Sequence, residues 1–259
     1  MAEPTLPDTT RLGPVTLAVA DAERSMGFYR DLVGLREIAH DGGRVTLGAG
    51  TEPVLHLVED GALRPASDRA SGLYHTAILF PDRAALARTV KHITGSGYPF
   101  TGASDHLVSE AFYLDDPDSL GVELYRDRPR AEWRRRDGTI EMATLPADVP
   151  GILAEATRDF DGAPDGTRIG HVHLKVSDIA EAERFYRDVI GFDVTTRFGD
   201  SATFLAAGGY HHHLGANVWQ SRRAPAAGPE FAGLREIMIE GTGAARMLTD
   251  PWGHRVVMR

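Results

Sequence analysis

The sequence predicts an α+β chain of four β-α-β-β-β modules, the fourth of them shortened. Three observations predict it. First, GPVTLAVADAERSMGFYRDLVGL (13–35) returns as GHVHLKVSDIAEAERFYRDVIGF (170–192), so the chain has two related halves. Second, a weaker repeat follows the first copy: LYHTAILFPDRAALARTVKHITGSGYPF (73–100), then EAFYLDDPDSLGVELYRD (110–127). Third, LREIMIEG (234–241) and ARMLTDPWGHRVVMR (245–259) repeat the first strand and last hairpin of that second module without its helix.

Each element follows from local pattern. In module one, Val15, Leu17 and Val19 alternate with Thr16 and Ala18, the period of a half-buried strand. Asp21, and Asp178 in module three, offer N-caps to the helices that follow. Those helices carry Met26, Phe28, Tyr29 and Leu32 in one copy and Ala182, Phe185, Tyr186 and Val189 in the other. Gly34 and Gly191 stop them. RVTLGAG and EPVLHLVE, then ATFLAAGG and HLGANVW, read as the remaining strands. Module two has a Pro-Asp cap and a turn built on Asp-Pro-Asp-Ser. This divides the chain into an N-terminal half (12–126), a linker (127–168) and a C-terminal half (169–259).

Composition narrows the function. The 259 residues carry 28 Lys and Arg against 37 Asp and Glu, a net charge of −9, which argues against nucleic acid. The Arg134–Arg136 run is too short to change that and reads as solvated linker. No apolar run approaches the ~18–20 residues of a membrane span. MAEPTLPDTTRLG has neither the basic start nor the apolar core of a signal peptide, so a cytoplasmic protein is expected. With 11 histidines and no cysteine, any metal must sit on His, Asp and Glu.

Four such modules, with the segments GLYHTAILFPDR, SDHLVSEAFYLDDPDSLGVELYRDRPR, IGHVHLKVSD and GGYHHHLGANVW, resemble the vicinal-oxygen-chelate superfamily. This is also called the glyoxalase, bleomycin-resistance and dioxygenase superfamily. The resemblance spans residues 12–259, and within the superfamily these segments look like bacterial catechol 2,3-dioxygenase-like proteins. It implies mixed sheets curled into cups, with helices outside and metal ligands projecting inward from first and last strands.

Alternation selects the inward residues. Val172, Leu174 and Val176 face the helix in module three, leaving His171 and His173 for the cup. His75 and Glu123 face inward in module two. The resemblance places the first-strand ligand position on Pro14, His75, His171 and Glu236, and the last-strand position on His56, Glu123, His212 or His213, and Val257. Pro14 and Val257 cannot bind a metal. Modules two and three sharing a cup would supply His75, Glu123 and His171, a two-histidine, one-carboxylate set suited to Fe(II). Modules one and two sharing it would put His56 in place of His171. The truncated fourth module favours the first pairing. An isolated inward histidine is more often structural than ligating; joint placement at family positions reverses that.

The resemblance also implies a second-sphere acid–base histidine in Tyr210-His211-His212-His213, with alternation undecided between His212 and His213. It gives Tyr113 a substrate contact. His106 lies in a matching segment, but two additional residues separate it from Tyr113, and both could instead be packing residues at the rim. Trp219 and Trp252 read as core or rim. The implied activity is extradiol cleavage of a catechol-like aromatic diol by O2. The metal would be Fe(II), with Mn(II), Ni(II) or Zn(II) as alternatives. A glyoxalase-type isomerase and a non-catalytic binder of planar drugs are the competing readings. Related proteins commonly dimerise, so a homodimer is open to it.

Overall fold

The computed structural model describes residues 6–67, 69–136 and 138–259. The absence of a leader was read partly from residues 1–5, which lie outside the described residues. Module one is β1 (Arg11–Val19), α1 (Ala22–Met26), β2 (Arg36–Asp41), β3 (Arg44–Ala49) and β4 (Glu52–Glu59). Module two is β5 (Gly72–Phe80), α2 (Arg83–Ser96), β6 (Gly102–Asp105), β7 (Ser109–Asp115) and β8 (Gly121–Asp127). The linker holds β9 (Arg135–Arg136), β10 (Thr139–Ile140), β11 (Leu145–Pro146) and α3 (Val149–Leu153). Module three is β12 (Arg168–Lys175), α4 (Ile179–Glu183), β13 (Asp193–Phe198), β14 (Ala202–Ala206) and β15 (Leu214–Asn217). Module four has only β16 (Gly233–Glu240), β17 (Arg246–Thr249) and β18 (Arg255–Met258). Among the described residues no helix is long and apolar enough to cross a membrane.

The helix starts are capped as the sequence suggests. Asp21, Asp82 and Asp178 accept from the backbone N–H of Arg24, Ala85 and Glu181. In both FYRD copies the helix continues as a π-helix, Gly27–Leu32 and Arg184–Ile190. The repeated tyrosine then ties two modules together. Tyr29 donates to Asp116 at 3.0 Å and Tyr186 to Asp250 at 2.7 Å. Each of these aspartates closes a hairpin turn, Asp116 by accepting from the N–H groups of Asp118 and Leu120, Asp250 from those of Trp252 and His254. Within each half, one module's helix is thus bonded to the other module's last turn.

The sheets pair differently from the halves. One sheet runs β17-β18-β16-β1-β4-β3-β2, joining modules one and four. The other runs β11-β6-β7-β8-β5-β12-β15-β14-β13, joining modules two and three. In that sheet β5 lies antiparallel to β12 and parallel to β8. The alternative pairing of modules one and two in a common cup is therefore corrected: their first strands lie in different sheets, and β4 pairs only with β1 and β3.

One apolar cluster runs through both halves. It takes Leu17 and Leu57 from module one, Ile78 and Leu124 from module two, Leu174 from module three and Ile237 from module four. The strand faces expected to be half-buried are covered on both sides. In β1, Thr16 and Ala18 are 7% and 6% exposed because the curled sheet encloses its own concave face. The linker is more than a tether. Trp133 and Ile140 pack on Tyr210, and β11 extends the second sheet beside β6.

Candidate metal centre

Sheet register brings three donors together. Ala77 on β5 is flanked by Glu123 on β8 and by His171 on β12. His75 is two residues back along β5, so the pleat puts it on the same face. Ala77 is fully buried, and its methyl leaves the space between its larger neighbours open. The Glu123 carboxylate lies 2.9 Å from His75 Nε2 and 3.2 Å from His171 Nε2; the two nitrogens are 3.3 Å apart. Metal–ligand bonds of about 2.1 Å place neighbouring octahedral ligands about 3 Å apart. The spacing and donor chemistry therefore fit a divalent cation held on one face. Among the described residues this is the group with such convergence.

The electrostatics agree. Burial pushes His171 down to about 4, against the pull of Glu123, so its imidazole is neutral at neutral pH. Burial also pushes the Glu123 carboxyl up, but His171 and His75 outweigh it and hold it well below its ordinary value. An ionised carboxylate beside a neutral imidazole is the protonation state metal binding requires. His171 Nδ1 is buried without a hydrogen-bond partner.

A cavity of about 490 Å³ opens over these donors. One wall is aromatic, with Tyr74, Phe198, Phe204 and Trp219. Linker residues Met142–Thr144 close another side.

Residues 11–124 and 168–235 match the family model described as the glyoxalase/bleomycin resistance protein/dioxygenase superfamily. The chain belongs to this superfamily. It is 42% identical over 236 residues to the catechol-2,3-dioxygenase of Bacillus subtilis (strain 168), covering 88% of this chain and 81% of that protein. Its fold is that of a crystal structure of a protein from Bacillus subtilis subsp. subtilis str. 168, at TM-score 0.64 and 14% identity over 99% of this chain and 86% of that one. Glyoxalase I from Zea mays is likewise similar in fold, at TM-score 0.56 and 16% identity over 96% and 92% of the two chains.

In this superfamily member, the structure brings His106 and Tyr113 into the same cavity. His106 Nδ1 donates to the Ala143 carbonyl at 2.7 Å, leaving Nε2 to accept from the Tyr113 hydroxyl at 2.6 Å. A tight turn with Leu107 at φ 68° joins β6 to β7, and His106 reaches Tyr113 on β7 across it. Burial, reinforced by Glu123, keeps the Tyr113 hydroxyl protonated. His212 lines the cavity, its ring centroid 4.1 Å from that of His171. His213 turns away, accepts from the Ala207 N–H at 3.3 Å and stacks near Phe192. His56 is not in this group. It sits on β4 in the other sheet, with Nδ1 3.0 Å from Thr46 Oγ1.

His173, which alternation also turned to the cup, lines the cavity but stands outside the donor group, its Nε2 3.1 Å from Asn217 Nδ2. Asp127 was not singled out from sequence. Asp127 and the buried His211 stand behind His212. Alternation could have found Asp127, since it shares a strand face with Glu123 and Tyr125. Trp219 is at the rim, 49% exposed, whereas Trp252 is buried and donates to Ser177.

Proposed function

We propose that the protein is an extradiol ring-cleaving dioxygenase that opens a catechol-like aromatic diol with O2, with Fe(II) held by His75, Glu123 and His171. The observation that carries this reading is the convergence of two imidazole nitrogens and a buried carboxylate on the floor of an aromatic-walled cavity. Similarity to a catechol-2,3-dioxygenase over 88% of the chain supports it. When bound, Fe(II) supplies Lewis acidity toward the diol and the electron chemistry that spin-forbidden O2 requires.

The chain's own residues do the rest. Tyr74, Phe204 and Trp219 offer faces and edges to a planar ring and displace water from it. His212 Nε2 accepts a diol proton and later returns it. Burial holds His212 well below the ordinary histidine range, so it enters the cycle as a neutral base. Tyr113, protonated and bonded to His106 in the empty site, turns its hydroxyl hydrogen from His106 Nε2 to the substrate oxygen on which negative charge develops.

Anaerobic purification, metal analysis and an oxygen electrode test the reading. One iron per chain, O2 uptake equal to the diol added and a yellow ring-opened product are expected. Iron-loaded protein inert toward a panel of catechols would refute it.

A further inference from the structure

Behind the metal ligands stands the histidine run. His211 is fully buried between two polar contacts. Its Nε2 lies 2.8 Å from Asp127 Oδ1, and its Nδ1 lies 2.8 Å from Nδ1 of His212. A carboxylate can only accept, so His211 Nε2 carries the proton in that bond. With that proton as its only one, His211 has a lone pair at Nδ1, and it is His212 Nδ1 that donates in the His211–His212 bond. The remaining nitrogen of His212, Nε2, has no proton and belongs to a ring that lines the main cavity.

We propose that Asp127 and His211 are positioning residues that lock His212 in the tautomer presenting an unprotonated Nε2 to the substrate. The proposal rests on the dioxygenase reading for what His212 does with that lone pair. The tautomer itself does not. Without the lock, His212 can carry its proton on Nε2 and would offer a diol hydroxyl a donor instead of an acceptor.

Placement explains why these residues can hold the ring. Asp127 ends β8, four residues beyond Glu123 on the same face. Trp133, from the linker, and Tyr210 pack on the His211 ring, with centroids at 5.2 and 4.1 Å. Tyr210 also interacts with Asp127 and bonds Tyr125 at 2.8 Å. The carboxylate is reachable from outside. Asp127 lines a second cavity of about 250 Å³, with Arg130 and Arg168, that shares no lining residue with the substrate cavity. A small carboxylate can therefore enter beside Asp127 without occupying the substrate site.

Two measurements on the whole 259-residue chain test this. The first is imidazole nitrogen NMR with diamagnetic Zn(II) bound. Wild-type His212 is expected to be protonated at Nδ1 and unprotonated at Nε2, and Asp127→Ala to lose that single state. A wild-type His212 protonated at Nε2 overturns the proposal whatever the enzyme's activity. The second is steady-state kinetics of iron-loaded Asp127→Ala on catechol. We expect kcat to fall about 10–100-fold, the usual cost of losing an orienting partner, with KM and iron content within about twofold. Added formate should restore part of kcat by occupying the second cavity. Unchanged kcat, or a loss that tracks iron content, overturns the positioning role. Inactivity of the wild-type enzyme on every diol would overturn the dioxygenase reading and leave the NMR result to decide the tautomer.

Discussion

Replacing Asp116 by asparagine should remove a pH-dependent load on the fold. Asp116 is 4% exposed and lies against Asp118, itself fully buried. Burial pushes its carboxyl up to about 7 from 3.8, despite bonds from two backbone N–H groups and Tyr29 that favour the ionised form. A folded-state value above the unfolded one means the native state binds the extra proton. Stability from this group is then fully present below about pH 4 and is lost as pH rises toward 7. A shift of about three units, at 1.36 kcal/mol each, corresponds to roughly 4 kcal/mol in total. Between pH 5 and pH 8 roughly 3 kcal/mol of it is lost. Asparagine keeps an oxygen for both backbone donors, and the rearranged Tyr29 contact adds a pH-independent cost of about 1 kcal/mol. The assay is urea unfolding of metal-free wild type and Asp116→Asn from pH 5 to pH 8, because bound metal would add its own linkage. The variant should gain on wild type up to about pH 7 and level off above it. A gap that stays constant within about 0.5 kcal/mol would refute the reasoning, since it would mean that Asp116 titrates alike in both states.

Substituting His75, Glu123 or His171 by alanine should abolish stoichiometric metal binding by elemental analysis, whereas His56→Ala should leave it intact. Full occupancy in the Glu123 variant would remove the site. Tyr113→Phe deletes the hydroxyl bonded to His106, and kcat should fall about 10–100-fold with metal content unchanged; an unaltered kcat would make Tyr113 a packing residue. Glu110 is 2% exposed and takes bonds from Arg83 at 2.8 Å and Arg126 at 2.7 Å, with Arg128 3.4 Å away. Glu110→Gln takes the carboxylate from Arg126, while Arg83 and Arg128 keep Glu155 and Asp105, and should cost about 3 kcal/mol in denaturant unfolding. A loss under 1 kcal/mol would show the cluster to be solvent-screened.

The module count, the caps and the missing fourth helix were legible because each is local, a matter of periodicity, of Asp before a helix, or of Gly after it. His75, Glu123 and His171 were legible because strand alternation assigns a face without knowing the neighbour. The choice between His171 and His56 was not fixed by alternation, since it depends on whether β5 pairs with β12, a contact far apart in sequence. His212 and His213 stayed ambiguous because Gly208 and Gly209, both at positive φ, precede them and alternation does not carry through such a turn. The linker's place in the cavity wall was hidden for a different reason. Met142–Thr144 have no repeat partner and no strand period, so only the tertiary fold brings them over the site.

The sheet of modules one and four shows what separates a site from a relic of one. Thr16 on β1 is flanked by His56 and Glu236, as Ala77 on β5 is flanked by Glu123 and His171. Two residues earlier along each central strand stand Pro14 and His75. The cup of modules one and four thus retains a histidine and a carboxylate at matching places and lacks the third donor. Restoring that donor would not suffice. Glu236 is drawn to Arg255 at 3.1 Å, and His56 is engaged by Thr46. Burial, with Arg44 and Arg259 nearby, pushes His56 down to about 4, so the field in that cup opposes a cation. Around Glu123 the neighbours are imidazoles and tyrosines instead of guanidiniums, and the buried carboxylate keeps its charge for a metal. Two of the three ligand places are filled in both sheets; the difference lies in the third donor and in which sheet leaves its carboxylate without a guanidinium.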